Sequence, residues 1–317
     1  MITVFDKEVN AQRVEPEQLE NIVEERQALW VHVEGQDYTD FYKVAGAYHI
    51  HHLAVDNVTQ PFTRSRISRY EEQVLITTEI PVFYPQHRFE LVQIAIFVLP
   101  EVIITVVNKN IGYDHVIRER LTDAPFIPER TEGFILYAIL DCIADNFVKA
   151  AELLDEETEN LETNLFKEKP DSSIQQLSFF IHRDLTHLRR VIMPMEEVLN
   201  TLIRWYDTSD NVQVLPYFQE VYGHIRLAAG MTNASREMVN NILQTNISLQ
   251  NNAMNATMKK VTGWGAVIAV TAGITGYFGM NVPYPGANQW WGVPLSTGLL
   301  ITINAALIYA FKKKDWL

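Results

Sequence analysis

The first hundred residues alternate between apolar runs and polar segments in a pattern typical of a mixed α/β fold. Residues 15–25 and 38–49 have apolar positions at helical spacing. Apolar and β-branched runs of strand length predict β-structure over 1–5, 28–34, 73–80 and 92–107. We therefore expect an α/β domain over residues 1–128.

Helical patterns replace the strand patterns from about residue 129 onward. Apolar positions recur with a helical period over 134–166, where the opposite face is acidic. A second helix is expected to follow Lys169-Pro170-Asp171 and to end near Tyr206, before the break at 209–216. These long helices place a second region at 129–258.

A third helical pattern starts near Tyr217 and continues into an apolar segment. It contains Gly223 and Gly230, each a cost of about 1 kcal/mol inside a helix, and meets no other Gly or Pro before Gly263. One helix of some 60 residues, roughly 90 Å long at about 1.5 Å per residue, is therefore expected. A helix of that length needs partner helices along its surface.

The C-terminal region contains a run of 51 residues, Val261 to Phe311, without Asp, Glu, Lys or Arg. One membrane-spanning helix needs roughly 20 apolar residues, so this run fits two spans. Prolines and glycines between 281 and 292 interrupt it. We expect a transmembrane hairpin at 259–317, with spans at 261–280 and 293–311 and an outer loop at 281–292. A buried helical hairpin in a soluble core is the alternative, which the length and the lysine flanks argue against.

Charge is distributed asymmetrically about this hairpin. Residues 1–258 have a net charge of −17 and residues 259–317 a net charge of +4. Lysines 259 and 260 precede the first span and lysines 312–314 follow the second, whereas the loop has no positive charge. The positive-inside rule then predicts that both termini are cytoplasmic and that the loop faces out. The acidic part would repel nucleic acid and attract cations.

Small residues form a stripe along the first predicted span. Gly265, Ala269, Ala272 and Gly276 follow one another at steps of four, three and four, and so share one helix face. Such a stripe lets helices approach closely or leaves room along an axis. Two interpretations stay open at this point, tight packing of the two spans in one chain and packing of several copies around a pore.

Gly279-Met280-Asn281 closes the first span and opens the outer loop. In this context, with two spans at the end of the chain, an α/β domain and long acidic helices before them, it resembles the GMN signature of CorA-type magnesium channels. The resemblance extends over nearly the full length. It implies an α+β cytoplasmic domain, a stalk helix continuous with the first span, and a funnel-shaped homopentamer in the cell membrane.

The resemblance also assigns the ion pathway. Gly279, Met280 and Asn281 correspond to the selectivity filter, in which five amide side chains hold a hydrated Mg²⁺ through its waters. Cobalt and nickel are further candidate ions. The alternative for Asn281 is a helix C-cap. The pore-lining and gate positions implied are Asn255, Met258, Val261, Gly265, Ala269, Ala272 and Gly276.

A regulatory metal site is implied between the cytoplasmic domains of neighbouring subunits. Asp56 and Asn57 correspond to one side of it, Glu220 to the other, and Asp141 to a nearby acid. Mg²⁺ bound between them would favour a closed pore. Asn57 replaces a carboxylate of the family pattern, and solvated acids on a helix face are the alternative interpretation.

Other patterns do not change this interpretation. IHRDL at 181–185 resembles a kinase catalytic loop, but no Gly-rich loop or DFG accompanies it, and we expect no enzyme. The histidines of HIHH at 49–52 fit a helix end better than a zinc site. Residues 1–30 lack the apolar core of a signal peptide, and the one cysteine suits a reducing compartment.

The competing hypothesis is a membrane-anchored cation sensor or scaffold without transport.

Overall fold

A computed structural model describes the chain except for residues 7, 26–27, 62–63, 85–86, 124–130, 166–173, 208–211, 288 and 317. The chain forms two compact units, residues 1–242 and residues 243–317. The expected boundary at 128 and the expected break at 169–171 lie outside the described residues. Part of the break expected at 209–216 does so as well.

One seven-stranded mixed sheet forms the centre of the first unit. Its order is β2-β1-β3-β7-β6-β5-β4, in which β3 and β7 are parallel and the other neighbours antiparallel. The strands are β1 (Ile2–Phe5), β2 (Ala11–Val14), β3 (Trp30–Glu34), β4 (Arg66–Tyr70), β5 (Gln73–Tyr84), β6 (His87–Leu99) and β7 (Val102–Val107). The four runs expected as strands are all found in it, and sequence analysis missed β2 and β4.

The run expected as strand over 92–107 is interrupted by a hairpin. Leu99 of β6 pairs with Val102 of β7, which leaves a two-residue turn at Pro100 and Glu101. Glu101 adopts φ 69°, the positive φ that a type II turn requires at the residue after its proline. The apolar run therefore supplies two neighbouring strands of the sheet.

Short helices cover one face of the sheet. They are α1 (Leu19–Glu24), α2 (Thr39–Ala47) and α3 (His52–Thr59). Val31 and Val33 of β3 pack in one cluster with Phe41 and Val44 of α2. Because side chains alternate along a strand, the residues between those valines point to the other face. There α4 (Tyr113–Asp123) precedes α5, and α5 packs on β5, β6 and β7.

Three long helices follow in sequence order. They are α5 (Glu132–Leu165), α6 (Ile174–Asp207) and α7 (Leu215–Phe278). In the first unit Ser235 of α7 donates a hydrogen bond to Asp155 of α5, at 2.6 Å. Arg189 of α6 donates one to Asn233 of α7, at 2.9 Å. These side-chain contacts give the first part of α7 the partners that a helix of its length needs.

The expected continuous helix is confirmed. α7 has 64 residues, passes through its internal glycines, and ends at Phe278. After the loop, α8 (Gly292–Lys313) completes the second unit. Both helices are long and apolar enough to cross a membrane, and almost none of their apolar windows is buried within the chain. An unburied apolar surface of this size needs lipid or other protein around it.

Candidate functional site

Polar contacts join the two apolar helices of the second unit at one level. Thr271 of α7 and Asn304 of α8 are joined by a hydrogen bond of 3.2 Å between Thr271 Oγ1 and Asn304 Oδ1. The Asn304 amide nitrogen donates to the Leu300 carbonyl, at 2.9 Å. The half-buried positions of α7, including Val267, Val270 and Ile274, lie on the same side as Thr271. This side of α7 is its contact face with α8.

The seven predicted lining positions of α7 lie on exposed surface rather than on that contact face. Asn255, Met258, Val261, Gly265, Ala269, Ala272 and Gly276 are all exposed in the single chain. A Cβ built on Gly265 or Gly276 would meet nothing within 4 Å. Within the single chain, Gly265 and Gly276 therefore do not pack α7 against α8.

The end of α7 is closed by Gly279. Its N–H donates to the Thr275 carbonyl, at 2.9 Å, and a Cβ on Gly279 would lie 3.1 Å from that oxygen. Met280 and Asn281 follow and are exposed. Asn281 is three residues beyond the last helical residue, so the helix end is closed before the chain reaches it. The C-cap alternative for Asn281 therefore has no geometric support.

The loop between α7 and α8 is folded back on itself by two glycines. Gly286 adopts φ +92°, where a side chain is strained, and a Cβ there would lie 2.8 Å from the Trp291 ring. A Cβ on Gly292 would lie 2.3 Å from the Gly286 carbonyl oxygen. The Phe278 and Tyr284 rings meet edge to face, with centroids 5.3 Å apart. The loop between the spans thus begins and ends in tight local packing.

The predicted regulatory residues occupy two places in the first unit. Asp56 is exposed on α3, and the amide nitrogen of Asn57 donates to the Tyr70 hydroxyl. Glu220 is exposed near the start of α7, whereas Asp141 of α5 is buried. Among the described residues, no hydrogen bond or ion pair joins the α3 residues to Asp141 or Glu220.

Asp141 and Glu220 interact electrostatically. Burial raises the pKa of the Asp141 carboxyl above its ordinary value, the charges of Asp145 and Glu220 add to the rise, and Arg120 opposes it. Burial and the same two acids, Asp141 and Glu220, raise the pKa of Tyr137. The structure therefore brings two of the four predicted regulatory residues into one acidic neighbourhood.

Sequence analysis missed three members of this neighbourhood. Arg120 of α4 forms ion pairs with Asp141 and Asp145. His224 Nδ1 lies 3.6 Å from Asp145 and 3.8 Å from Asp141. Asp141, Asp145 and His224 could hold a metal ion, since their ligand atoms all lie within 4.8 Å of one another. Spacing could have found two of them, because Asp145 and His224 each follow a predicted residue by one helical turn of four.

Among the residues that the structure describes, the histidines at 49–52 belong to no group that could hold a metal ion. His51 precedes α3 and its Nδ1 accepts a hydrogen bond from the Leu53 N–H, at 3.2 Å. The rings of His51 and His52 stack, with centroids 4.5 Å apart. Among the described residues this cluster lies at the N-terminal end of α3, where His51 caps the helix, in agreement with the sequence prediction of a helix end.

Comparison with known proteins covers nearly the whole chain. The family model described as CorA-like Mg²⁺ transporter protein matches residues 25–313. A cobalt/magnesium transport protein CorA of Thermotoga maritima is 26% identical over 292 residues, which is 91% of this chain and 83% of that protein. The Methanocaldococcus jannaschii protein of the same name is 26% identical over the full length of both chains.

The fold also matches a solved structure. The complete structure of the CorA magnesium transporter from Methanocaldococcus jannaschii superposes with a TM-score of 0.81 at 21% identity. The match covers 100% of this chain and 99% of that one. The order of mixed sheet, long helices and two C-terminal apolar helices is thus that of a known membrane protein fold.

Proposed function

The chain belongs to the CorA-like Mg²⁺ transporter family, and from that premise we propose that it conducts Mg²⁺ through a pore made by five copies. Members of this family are transporters and not enzymes, in agreement with the sequence prediction. The relatives in Thermotoga maritima and Methanocaldococcus jannaschii are named for cobalt and magnesium transport. Co²⁺ is therefore a second candidate ion for this chain, and Ni²⁺ a third.

The observation that supports the proposal is that α8 of the same chain leaves the seven predicted lining positions of α7 exposed. These positions form a stripe from Asn255 to Gly276, and Gly265 and Gly276 have open space beside them. Packing of α7 helices from several copies would cover this stripe, or leave it facing a common axis. The proposed pore is that axis.

Asn281 is proposed to select the ion at the outer end of the axis. Mg²⁺ is small, prefers six oxygen ligands and releases its waters reluctantly. A ring of neutral amides can hydrogen-bond the hydrated ion without removing its shell, and it binds weakly enough for the ion to leave. Asn281 is exposed and lies beyond the last residue of α7, so its amide is accessible for this role.

The membrane potential is the proposed driving force. With both termini in the cytoplasm, a dication that enters across a potential of 100 mV gains about 4.6 kcal/mol, from about 2.3 kcal/mol per charge. No nucleotide hydrolysis is needed for uptake at this magnitude. The topology rests on lysines 259–260 and 312–314 at the inner ends of the two apolar segments.

We propose that intracellular Mg²⁺ closes the pore by binding between cytoplasmic domains of neighbouring copies. Asp56 and Asn57 would supply one side, and Glu220 with Asp141 the other. Asp56 and Glu220 are both exposed in one chain, so their carboxylates are available to a neighbour. Facing carboxylates repel until a dication bridges them, and an ion bound only in the closed arrangement shifts the population toward closure.

Flux through proteoliposomes tests the conduction proposal. The full-length protein is reconstituted with a Mg²⁺-sensitive dye inside, and uptake is followed under an imposed potential. We expect Asn281→Ala to lose most of the selective Mg²⁺ uptake, and Gln289→Ala, an exposed amide in the same loop, to retain it. Equal uptake by Asn281→Ala and wild type would contradict the filter, and absence of flux in every Mg²⁺ condition would contradict the channel.

A second assay addresses closure. Asp56→Ala combined with Glu220→Ala is expected to require more internal Mg²⁺ for half-inhibition of uptake than wild type. Glu237→Ala removes an exposed acid elsewhere on α7 and is the matched control. An unchanged inhibition curve in the double variant would overturn the regulatory assignment while leaving the conduction proposal intact.

A further inference from the structure

Three side chains of metal-ligating type meet on the sheet face opposite α1–α3. His32 and Glu34 come from β3, and Asp114 comes from the first turn of α4. Their ligand atoms all lie within 4.8 Å of one another. His32 and Glu34 are 1% and 2% exposed, whereas Asp114 is half-buried. The cluster therefore has two buried ligands and one at the surface, through which an ion can enter.

Two buried polar atoms of this cluster lack hydrogen-bond partners among the described residues. They are His32 Nε2 and Glu34 Oε2. His32 Nε2 lies 3.2 Å from Glu34 Oε1, which is ion-pair distance when the ring is protonated. Buried polar atoms are nearly always satisfied by protein, water or an ion. A neutral imidazole and a carboxylate at this distance, with Glu34 Oε2 unpartnered among the described residues, can share a cation.

The distance between His32 Nε2 and the other carboxylate oxygen of Glu34, Oε1, fits a shared metal ion. Zn²⁺ binds imidazole nitrogen and carboxylate oxygen at about 2.0–2.1 Å with tetrahedral angles, which places two ligand atoms about 3.3 Å apart. The observed 3.2 Å between His32 Nε2 and Glu34 Oε1 matches that spacing. Asp114 supplies a third ligand, and a water can take the fourth position.

The other ring nitrogen of His32 is already fixed. Its Nδ1 lies 2.7 Å from the Thr105 hydroxyl on β7, and the Trp30 indole N–H donates to the same oxygen at 2.9 Å. Thr105 is fully buried. Metal-binding histidines usually have their second nitrogen held in this way, which sets the ring orientation and the tautomer. When Nδ1 donates to Thr105, the Nε2 lone pair faces the carboxylate, and a cation between the two stabilises this tautomer.

Glu34 is also held in place from α4. The backbone N–H of Tyr113 donates to Glu34 Oε1, at 3.2 Å. Asp114 is the next residue, so the chain that fixes the carboxylate also supplies the third ligand. A bound ion would therefore connect the start of α4 to β3 and β7.

We propose that His32, Glu34 and Asp114 bind a divalent transition metal of the Zn²⁺ or Co²⁺ class. The imidazole nitrogen favours these ions over Mg²⁺, which prefers oxygen ligands alone. The site shares no residue with the acidic cluster of Asp141 or with the lining positions of α7. It does not rest on the proposed transport function.

Cobalt absorption in the visible range tests the site directly, because four-coordinate Co²⁺ is strongly coloured. The full-length protein in detergent is stripped with a chelator and titrated with Co²⁺ in excess Mg²⁺. We expect one tightly bound equivalent with the four-coordinate spectrum, and loss of that spectrum in His32→Gln. Asp114→Asn, at a half-buried position, should keep the fold and weaken Co²⁺ affinity at least about tenfold, since removing a ligand costs no less than removing an outer-shell partner.

Two further variants separate this site from others. Thr105→Val is expected to weaken Co²⁺ binding about 10- to 100-fold, and Thr105→Ser to restore it. His224→Gln, which removes the imidazole of the other cluster, should leave the spectrum unchanged. The proposal is overturned if wild type gives no four-coordinate spectrum, or if folded Asp114→Asn and His32→Gln both retain it. Thermal unfolding of each variant verifies that it is folded.

Discussion

Arg120 of α4 forms an ion pair with the buried carboxylate of Asp141 on α5. Its second terminal nitrogen binds Asp145, one helical turn further along α5. The side chain of Asp141 is 3% exposed and that of Arg120 is 38% exposed. Arg120 therefore compensates a buried acid that the sequence suggested only as a metal ligand, and any ion bound at Asp141 must compete with it.

Removal of Arg120 is expected to destabilise the first unit. Arg120→Ala leaves Asp141 buried without its guanidinium partner. We expect the free energy of unfolding to fall by about 1–3 kcal/mol. This is less than for a fully buried ion pair, because solvent screens the charge of Arg120. The melting temperature of the full-length protein in detergent should fall accordingly. Arg118→Ala, at an exposed position of the same helix, is the control. Equal melting temperatures in the two variants would show that the ion pair contributes nothing.

A large side chain placed on the exposed small-residue stripe is expected to impair assembly of several copies without disturbing the helical hairpin of one chain. Gly276→Leu meets open space in the single chain, but its side chain would occupy the surface that we propose faces other copies. We expect a lower native mass in detergent and reduced Mg²⁺ flux. Gly298→Leu on α8, which also meets open space, should change both less. Pentameric mass and normal flux in Gly276→Leu would contradict the proposed pore face.

The hydrogen bond between Thr271 and Asn304 is expected to contribute about 0.6–2 kcal/mol to the packing of α7 on α8. Thr271→Val and Asn304→Leu remove one partner each, and a double-mutant cycle on thermal stability in detergent isolates the interaction. Thr275→Val is the control, because among the described residues the Thr275 hydroxyl bonds carbonyls of its own helix, those of Thr271 and Ala272. Additive effects of the two partner variants would exclude a stabilising contact.

The single cysteine is expected to be unreactive in the folded protein. Burial raises the pKa of the Cys142 thiol to about 12, so at pH 8 only about one thiol in 10⁴ is ionised, compared with roughly a quarter at an ordinary pKa near 8.5. Maleimide should label the native protein very slowly and the denatured protein at once. Glu152→Cys, exposed on the same helix, should label quickly. Rapid labelling of native Cys142 would contradict the packing of α5.

The sequence by itself determined the long helices, the two apolar segments and their order, although β2, β4 and the turn within 92–107 were not predicted. Val261 to Phe311 lacks charge over a length that two spans explain, and nothing breaks the helical pattern between Tyr217 and Phe278. Periodicity and the absence of charge are local properties of the chain, so they can be read without knowing the fold. The same holds for Gly279-Met280-Asn281, whose position after a span is itself a sequence feature.

Only the tertiary structure decided which side chains meet. Arg120 and Asp141 lie on different helices, and His32 meets Asp114 although α2, α3 and four strands separate them in the sequence. No local pattern encodes such contacts, because they depend on how β3 pairs with β7 and how α4 and α5 lie on the sheet. The stripe at Gly265 and Gly276 shows the same division. Its spacing followed from the sequence, but its exposure beside α8 followed from the packing of two helices.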